Sequence, residues 1–529
     1  MKKLLLLFFF ALFMNIQACQ PLTESSADPT SSSFSTDTVE GYQPPVFIQD
    51  QRMERLAELQ PELDLFFREK AIANHIPGYV YGIVVDDTLA FAGAYGVVNR
   101  ENEAAVDANA LFRIASMTKS FVSMAILKLR DEGKLALHLP AAQYLPELKQ
   151  LKYLTADVQP ITIEQLMTMS AGFPEDNPWA DRQLEDSEDE FSAFLSGGMS
   201  MSNIPGAAYE YSNLGYAMLG RIITNVSGVA YQQYITEQIL HPLGMTDTHW
   251  EYEGLPAEQL AIGYRWEKEA WKEEPMLHDG AFGAIGGLIT SLNDFSKYVG
   301  YHLSAWPPRN DAESGPLKRS SLREMHQMKN PRLYANAQDA GGNPCPSMSA
   351  YAYGLGIYED CNGLRKISHS GGLPGFGSEF QFYPELGIGI ISFANRTYAP
   401  ARSINTELMT WLQERMDLPS RQQLLTSLLE SRQAAVVKLI RDWDESDTSG
   451  IIAENFYLDK SRELRKEEAD AIWESAGSIQ EIEALRPINQ LRGAFLIRCE
   501  KQDVEVFFSL SPEKEPKVQA VNMRLVEGM

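Results

Sequence analysis

The chain has 529 residues, 44% hydrophobic and 10% aromatic, with a formal net charge of −25 at pH 7. That is the composition of a folded globular protein with room for more than one domain. The charge excludes a nucleic-acid partner, because phosphate recognition needs clustered Lys and Arg.

Lys2 and Lys3 precede an apolar run from Leu4 to Met14, which is too short to span a bilayer and ends in Ile16-Gln17-Ala18-Cys19. A small residue directly before a cysteine resembles the bacterial lipobox. This implies a signal peptide over 1–18, a lipid on Cys19, and a protein anchored in the bacterial cell envelope that faces the periplasm or exterior. The plainer alternative is an ordinary signal peptide with an incidental cysteine. A Ser-, Thr- and Asp-rich tether follows, placed at 19–48. With Cys19 given to lipid, Cys345 and Cys361 are candidates for a bridge in an oxidising compartment, leaving Cys499 as a buried thiol.

A helix is expected around Leu56, Leu63 and Phe67, interrupted at Pro61. YVYGIVVDDTLAFAGAYGVV is read as two strands joined at Asp86-Asp87. Helical patterns dominate from Phe112 to Phe295, with a capping box at Thr162-x-x-Gln165 and helix stops at Gly133 and Gly228. Strand patterns return in YAYGLGIYED, GSEFQFYPE and GIGIISFAN, and a helix follows over Ala401–Met416. Strands at both ends of a helical block imply one α/β domain over 49–418, its antiparallel sheet completed by distant segments. Residues 419–529 are assigned to a small α+β accessory domain: a helix around Leu424, Leu428, Val436 and Leu439, then strands GAFLIRCE, DVEVFFSLS and VQAVNMRLV.

Three stretches carry chemistry. In FRIASMTKSFVS, helical spacing puts Ser116, Lys119, Ser120 and Ser123 on one face, surrounded by Met117, Phe121, Val122 and Met124. Thr118 is turned away, and Ser120 is expected to line the pocket deeper in. Ser116 lies at the first turn, where free N–H groups stabilise an oxyanion; its bland reading is a helix cap. For Lys119 to act as a base near neutral pH its pKa must fall by about 3, or about 4 kcal/mol, and the apolar flanks point to desolvation as the cause. In YEYSNLGYAMLG, Tyr211 can pass a proton between nucleophile and leaving group, and Asn213 can hold both Lys119 and a substrate carbonyl; the alternative is a core aromatic followed by a cap. In KISHSGGLPGFGSEF, His369 and Ser370 precede Gly371 and Gly372, which let a substrate backbone lie against the strand; the alternative is a glycine-rich turn.

Together and in this order, the three resemble the motifs of the serine β-lactamase and penicillin-binding protein family, in the branch that holds D-alanyl-D-alanine carboxypeptidases, class C β-lactamases and related esterases and D-aminopeptidases. LMTMSAGFP, HPLGMTDT and GAIGGLITSLNDF also look like the family, over about residues 50–417. The resemblance implies a β-lactamase-like serine hydrolase fold, an antiparallel sheet flanked by helices plus an all-helical subregion. It implies Ser116 as the acylated nucleophile, Lys119 as its base, and Tyr211 with Asn213 as the second motif. His369-Ser370-Gly371 would be the third motif on the edge strand, and the oxyanion would bind the N–H groups of Ser116 and Gly372.

The third motif departs from the Lys-Thr-Gly of class C β-lactamases. A histidine is mostly neutral at pH 7, which weakens pairing with a substrate carboxylate. The reading is therefore a cell-envelope peptidase or esterase acting on a small-molecule or peptide substrate, with no metal or cofactor. β-Lactam hydrolysis stands second, and a catalytically silent lipoprotein of the same fold third. EDNPWADRQLEDSEDEF is either a loop at the cleft edge that tunes specificity or a solvated surface loop.

Overall fold

The computed structural model describes residues 42–339, 341–443 and 450–526, and from Gln43 onward the described chain is one compact unit. The expected signal peptide, Cys19 and the tether up to residue 41 lie outside the described residues. Residues 43–48, assigned above to the tether, instead join the folded unit. Val46 pairs with Gln422, and the Phe47 ring is held between two guanidinium groups, with Arg52 Cζ 3.6 Å and Arg421 Cζ 4.3 Å from its centroid.

Helix α1 (Arg52–Ala73) runs unbroken through Pro61. The expected interruption fails because Pro61 sits on the exposed side, where water can satisfy the carbonyl left without a donor, while Leu56, Leu63 and Phe67 bury the other face. Strands β1 (Gly78–Val85) and β2 (Thr88–Gly96) form the hairpin over Asp86-Asp87. Asp86 adopts φ +53°, a left-handed turn conformation that Asp tolerates, and its carboxylate binds Arg52 and Arg421 at 2.6 Å each.

The late strands are β3 (Arg332–Tyr334), β4 (Ser347–Tyr351), β5 (Gly356–Glu359), β6 (Arg365–Leu373), β7 (Phe376–Tyr383) and β8 (Ile388–Ala394). With the first hairpin they make an eight-stranded antiparallel sheet in the order β2-β1-β8-β7-β6-β5-β4-β3. Pairing of β1 with β8, Tyr79 opposite Ala394 through Val85 opposite Ile388, joins the two ends of the domain. Both faces are covered, so GYVYGIVV has no polar alternation. Val80 and Val84 point into one core, and Tyr79, Tyr81, Ile83 and Val85 into the other. The first core is built by α2 (Thr118–Asp131), α3 (Asn213–Ser227) and α4 (Leu292–Leu303); the second by α1 and α5 (Ala401–Arg415).

The capping box at Thr162 and Gln165 and the left-handed glycines at 133 and 228 are all present. The stretch YAYGLGIYED is two strands, not one. It turns at Gly354 (φ +71°), where a Cβ would come within 2.7 Å of the Lys119 carbonyl oxygen, so only glycine lets this turn seat on α2. The helical block is interrupted by two short ribbons, Phe112–Arg113 with Ile289–Thr290 and Tyr264–Glu267 with Ala270–Glu273. Cys345 and Cys361 form a disulfide across the open end of the β4–β5 hairpin, and Cys499 is a buried thiol.

Beyond residue 419 lie α6 (Ser427–Asp442), α7 (Arg462–Ala476) and five strands: β9 (Ile479–Ile482), β10 (Arg486–Asn489), β11 (Arg492–Cys499), β12 (Val504–Leu510) and β13 (Val518–Leu525). Their sheet runs β9-β11-β12-β13, with β10 also on β11, over a separate core of Val436, Ile440, Phe456, Phe495, Val506 and Phe508. Helix α7, β9 and β10 go beyond the sequence expectation. Leu424 precedes α6 rather than belonging to it.

Candidate active site

Ser116 sits in a single 3-10 turn, Ala115–Met117, that leads into α2. Ala115 is held at φ +51°, a strained conformation that the surroundings fix. A Cβ on Gly371 would lie 2.1 Å from the Ile114 carbonyl oxygen, and one on Gly286 would lie 3.3 Å from Ala115 Cα. Glycine on both sides therefore lets β6 and the loop before α4 close onto the backbone of this turn. Ser116 opens into a cleft of about 1140 Å³, whose lining includes Asn177, Asp181, Tyr211, His369, Ser370, Gly372, Tyr398 and Arg402.

Lys119 is fully buried, with Nζ 2.9 Å from Ser116 Oγ and 2.7 Å from the Ile285 carbonyl oxygen. It makes no ion pair among the described residues; its Nζ lies 5.3 Å from the Tyr211 ring centroid and 5.8 Å from that of Tyr216. Burial pulls its pKa down to about 7, and the negative charges of Asp181 and Asp176 oppose the fall only in part. A neutral amine beside the serine hydroxyl is thus within reach at neutral pH. Tyr211 lines the same cleft as Ser116, and burial pushes its phenol well above 10, so it stays protonated and can serve as an acid.

The other hydroxyl residues of this stretch, Thr118 off the stripe and Ser120 and Ser123 on it, serve the fold. Thr118 Oγ1 accepts from the Leu288 N–H. Ser120 does not line the pocket: its hydroxyl donates to the Met117 carbonyl at 2.8 Å and accepts from Tyr298 at 2.6 Å, inside the core. Ser123 meets the Tyr216 hydroxyl at 3.1 Å.

Asn213 has contacts beyond the expected ones, and its Oδ1 is buried without a hydrogen-bond partner among the described residues. Its Nδ2 donates to Asp176 at 3.1 Å and to Asn177 at 2.9 Å, not to a group at the nucleophile, and the residue is fully buried and absent from the cleft wall. The cause is Asp176, whose carboxylate also accepts the N–H groups of Asn213 and Leu214 at 2.7 and 2.9 Å, at the positive end of α3. Asn213 fastens the segment 176–177 to the helix that follows Tyr211.

His369, Ser370, Gly371 and Gly372 lie on β6, a strand with neighbours on both sides rather than an edge strand. Pairing with β5 nevertheless stops at Ser368 opposite Gly356, so 369–373 present a local free edge. His369 is buried, and its pKa is driven down to about 3 by burial and by the nearby Lys119 charge. Gly371 packs against the nucleophile turn, and Gly372 lines the cleft under the Tyr398 ring. Ser370 Oγ accepts from Arg402 Nη2 at 2.6 Å.

Sequence reasoning did not find Arg402, Tyr351 or Tyr398, and noticed Asp181 only as part of an acidic loop. Arg402 comes from the first turn of α5, whose sole signal was its helical pattern, and Tyr398 from the turn before it. In the segment EDNPWADRQ, Asn177 and Asp181 line the cleft, while Trp179 packs on Phe194 and Phe282 with ring centroids 5.3 and 5.8 Å away.

An antiparallel sheet closed by distant strands, with Ser-x-x-Lys opening a buried helix and a tyrosine and a glycine-rich strand facing the serine, defines the penicillin-binding class of serine hydrolases. The Beta-lactamase family model matches residues 52–410, and the chain belongs to this family. Protein flp of Staphylococcus aureus is 28% identical over 361 residues, which cover 66% of this chain and 66% of that protein. The chain thus matches just under two thirds of the length of that relative. The octameric penicillin-binding protein homologue from Pyrococcus abyssi superposes with a TM-score of 0.53 at 21% identity, covering 85% of this chain and 96% of its own. A D-alanine carboxypeptidase from Burkholderia cenocepacia gives 0.54 at 18% identity, covering 68% and 100%. These two structures are alike in fold.

Proposed function

We propose that the protein cleaves an amide or ester bond through an acyl-enzyme on Ser116, as a peptidase or esterase of the cell envelope. The observation that carries this reading is the contact between Ser116 Oγ and a fully buried Lys119 that makes no ion pair among the described residues. Lys119 takes the hydroxyl proton, and Oγ attacks the carbonyl carbon. The oxyanion forms between the N–H groups of Ser116 and Gly372, and Tyr211 delivers a proton to the leaving group. Water then releases the acid. A silent binding module has no use for a lysine kept buried beside a serine, at a cost in desolvation.

β-Lactam hydrolysis is the second reading, and Arg402 is the observation in its favour. Beside Ser370 it restores a cation where the third motif carries a neutral histidine. Attachment through a lipid on Cys19 completes the proposal. The Cys345–Cys361 disulfide supports an oxidising compartment. Loss of detergent-phase partitioning in Cys19→Ser is the expected result, and unchanged partitioning would remove the anchor.

The decisive experiment incubates the protein and Ser116→Ala with a fluorescent penicillin, a chromogenic cephalosporin, p-nitrophenyl esters and D-amino-acid amides, with intact-mass detection of adducts. Ester or amide turnover lost in Ser116→Ala supports the reading. Rapid cephalosporin turnover promotes the β-lactamase alternative, and no turnover with no adduct on Ser116 leaves the silent one.

A further inference from the structure

Asp181 is a buried carboxylate in the wall of the cleft, only 4% exposed; its charge reaches Lys119, but no step of the acyl-enzyme chemistry uses it to bind substrate. Its side chain accepts one hydrogen bond, from the Tyr398 hydroxyl at 2.8 Å, and forms no ion pair among the described residues. Arg182, next in sequence, does not pair with it either. Lys119 attracts it through space without an ion-pair contact, and a buried carboxylate that no cation touches is costly to the fold, so its place in a substrate cleft suits a partner that arrives with the ligand.

The carboxylate is held with unusual care. Tyr398 adopts φ +48°, a conformation that costs energy in a residue other than glycine, and its N–H is tied to the Phe376 carbonyl at 3.1 Å. The tyrosine ring lies over Gly372, where an added Cβ would come within 2.6 Å of it. Asp181 is thus indexed through Tyr398 to Gly372, as Arg402 is indexed to Ser370 two residues earlier on the same strand. Between them, Gly371 packs against the turn that carries Ser116. The cleft that Ser116 opens into thus carries a buried carboxylate at Asp181 and a more exposed guanidinium at Arg402.

We propose that Asp181 binds the free α-ammonium group of the acyl residue, so that the preferred substrates are short peptides, amides or esters with an unblocked amino terminus. In an amino-acid amide the only α-ammonium is on the acyl side, since the other nitrogen is the leaving group. At pH 7 such an amine is largely protonated. The inference rests on the acyl-enzyme reading above and adds the substrate class to it.

The test compares D- and L-alanine p-nitroanilide with their N-acetyl counterparts, using p-nitrophenyl acetate as a reference without an amine. The free amine should be favoured roughly 10- to 100-fold in kcat/KM, mostly through KM, the range of a charge-assisted contact. In Asp181→Asn this preference should fall to near unity, and Tyr398→Phe should narrow it. A carboxylate that merely anchored Tyr398 would lower both anilides together and leave their ratio intact, which would overturn the proposal. Equal rates on free and acetylated anilides in the unmodified protein would overturn it without any variant. If p-nitrophenyl acetate is turned over and Ser116→Ala abolishes this, those outcomes reject the ammonium site alone; no turnover of any substrate and no adduct on Ser116 reject both readings.

Discussion

His369 Nε2 lies 2.8 Å from the Tyr351 hydroxyl, while its Nδ1 lies 2.6 Å from the Ser370 carbonyl oxygen. A carbonyl only accepts, so Nδ1 carries the proton and Nε2 accepts from the phenol. With its pKa driven down to about 3, the ring is a neutral acceptor throughout the physiological range. It orients the strand edge without supplying charge.

A pH profile follows from this. On p-nitrophenyl acetate, kcat/KM should rise with pH through about 7 as Lys119 loses its proton, and stay level up to the range where Tyr211 ionises, well above 10. His369→Asn should leave the midpoint in place. A midpoint that moves with His369, or activity that falls as pH rises through 7, would contradict the assignment of Lys119 as base.

Lys119→Arg keeps a positive charge but cannot deprotonate, because a guanidinium has a pKa above about 12. Single-turnover acylation should slow by about 10²- to 10⁴-fold, the usual worth of a positioned base. Raising the pH to about 9 should restore none of it.

Gly371→Ala probes the approach of β6 to the nucleophile turn. The new methyl would lie 2.1 Å from the Ile114 carbonyl oxygen and 2.3 Å from Ser378 Oγ, so the strand must retreat. Because a misplacement of about 1 Å costs up to 10²-fold, acylation should fall by at least about 10-fold. Thermal unfolding would show a loss of about 1–3 kcal/mol, typical of overpacking.

His302 and His326 form a buried pair far from this chemistry. Nδ1 of His302 is 2.8 Å from Nε2 of His326, whose Nδ1 accepts from Trp306 at 2.9 Å. Burial drives the His302 pKa from 6.5 to about 3. The unfolded chain therefore binds more protons between these values: this contribution to stability is complete above about 6.5 and is lost as pH falls, by up to about 1.4 kcal/mol per pH unit. His302→Gln keeps an acceptor but does not titrate. Its melting temperature should gain on the parent's as pH drops from 7 to 4, and parallel curves would refute the buried neutral pair.

The legible parts of the sequence were those where one local rule decides. The 2-residue period and the turn at Asp86 specify the first hairpin, and Thr162 with Gln165 marks a helix start. Ser116 and Lys119 could be grouped by helical spacing, whereas Tyr211 and His369 joined them only through the family resemblance. Helix α7 was not legible, because RELRKEEADAIWESA is mostly charged and fully buries only Ala469 and Ala476. Pro61 misled for the opposite reason, since a breaker on the solvent side breaks nothing. Arg402, Tyr398 and Asp181 reach the cleft from segments remote in sequence, and no local pattern announces a contact such as Asp181 with Tyr398. The tie of Asn213 to Asp176, 37 residues away, was not legible either.

That anchor has a practical meaning. Asp176 fixes one end of the segment to the helix after Tyr211, while Asp181 stands a few residues beyond on the cleft wall. The stretch between and after them is no free-standing loop, because Ala180 and Leu184 are buried in the first core and the charge of Asp181 reaches Lys119. An engineer seeking a new substrate range would change an exposed cleft-lining side chain such as Pro178 and leave the backbone and its buried contacts in place.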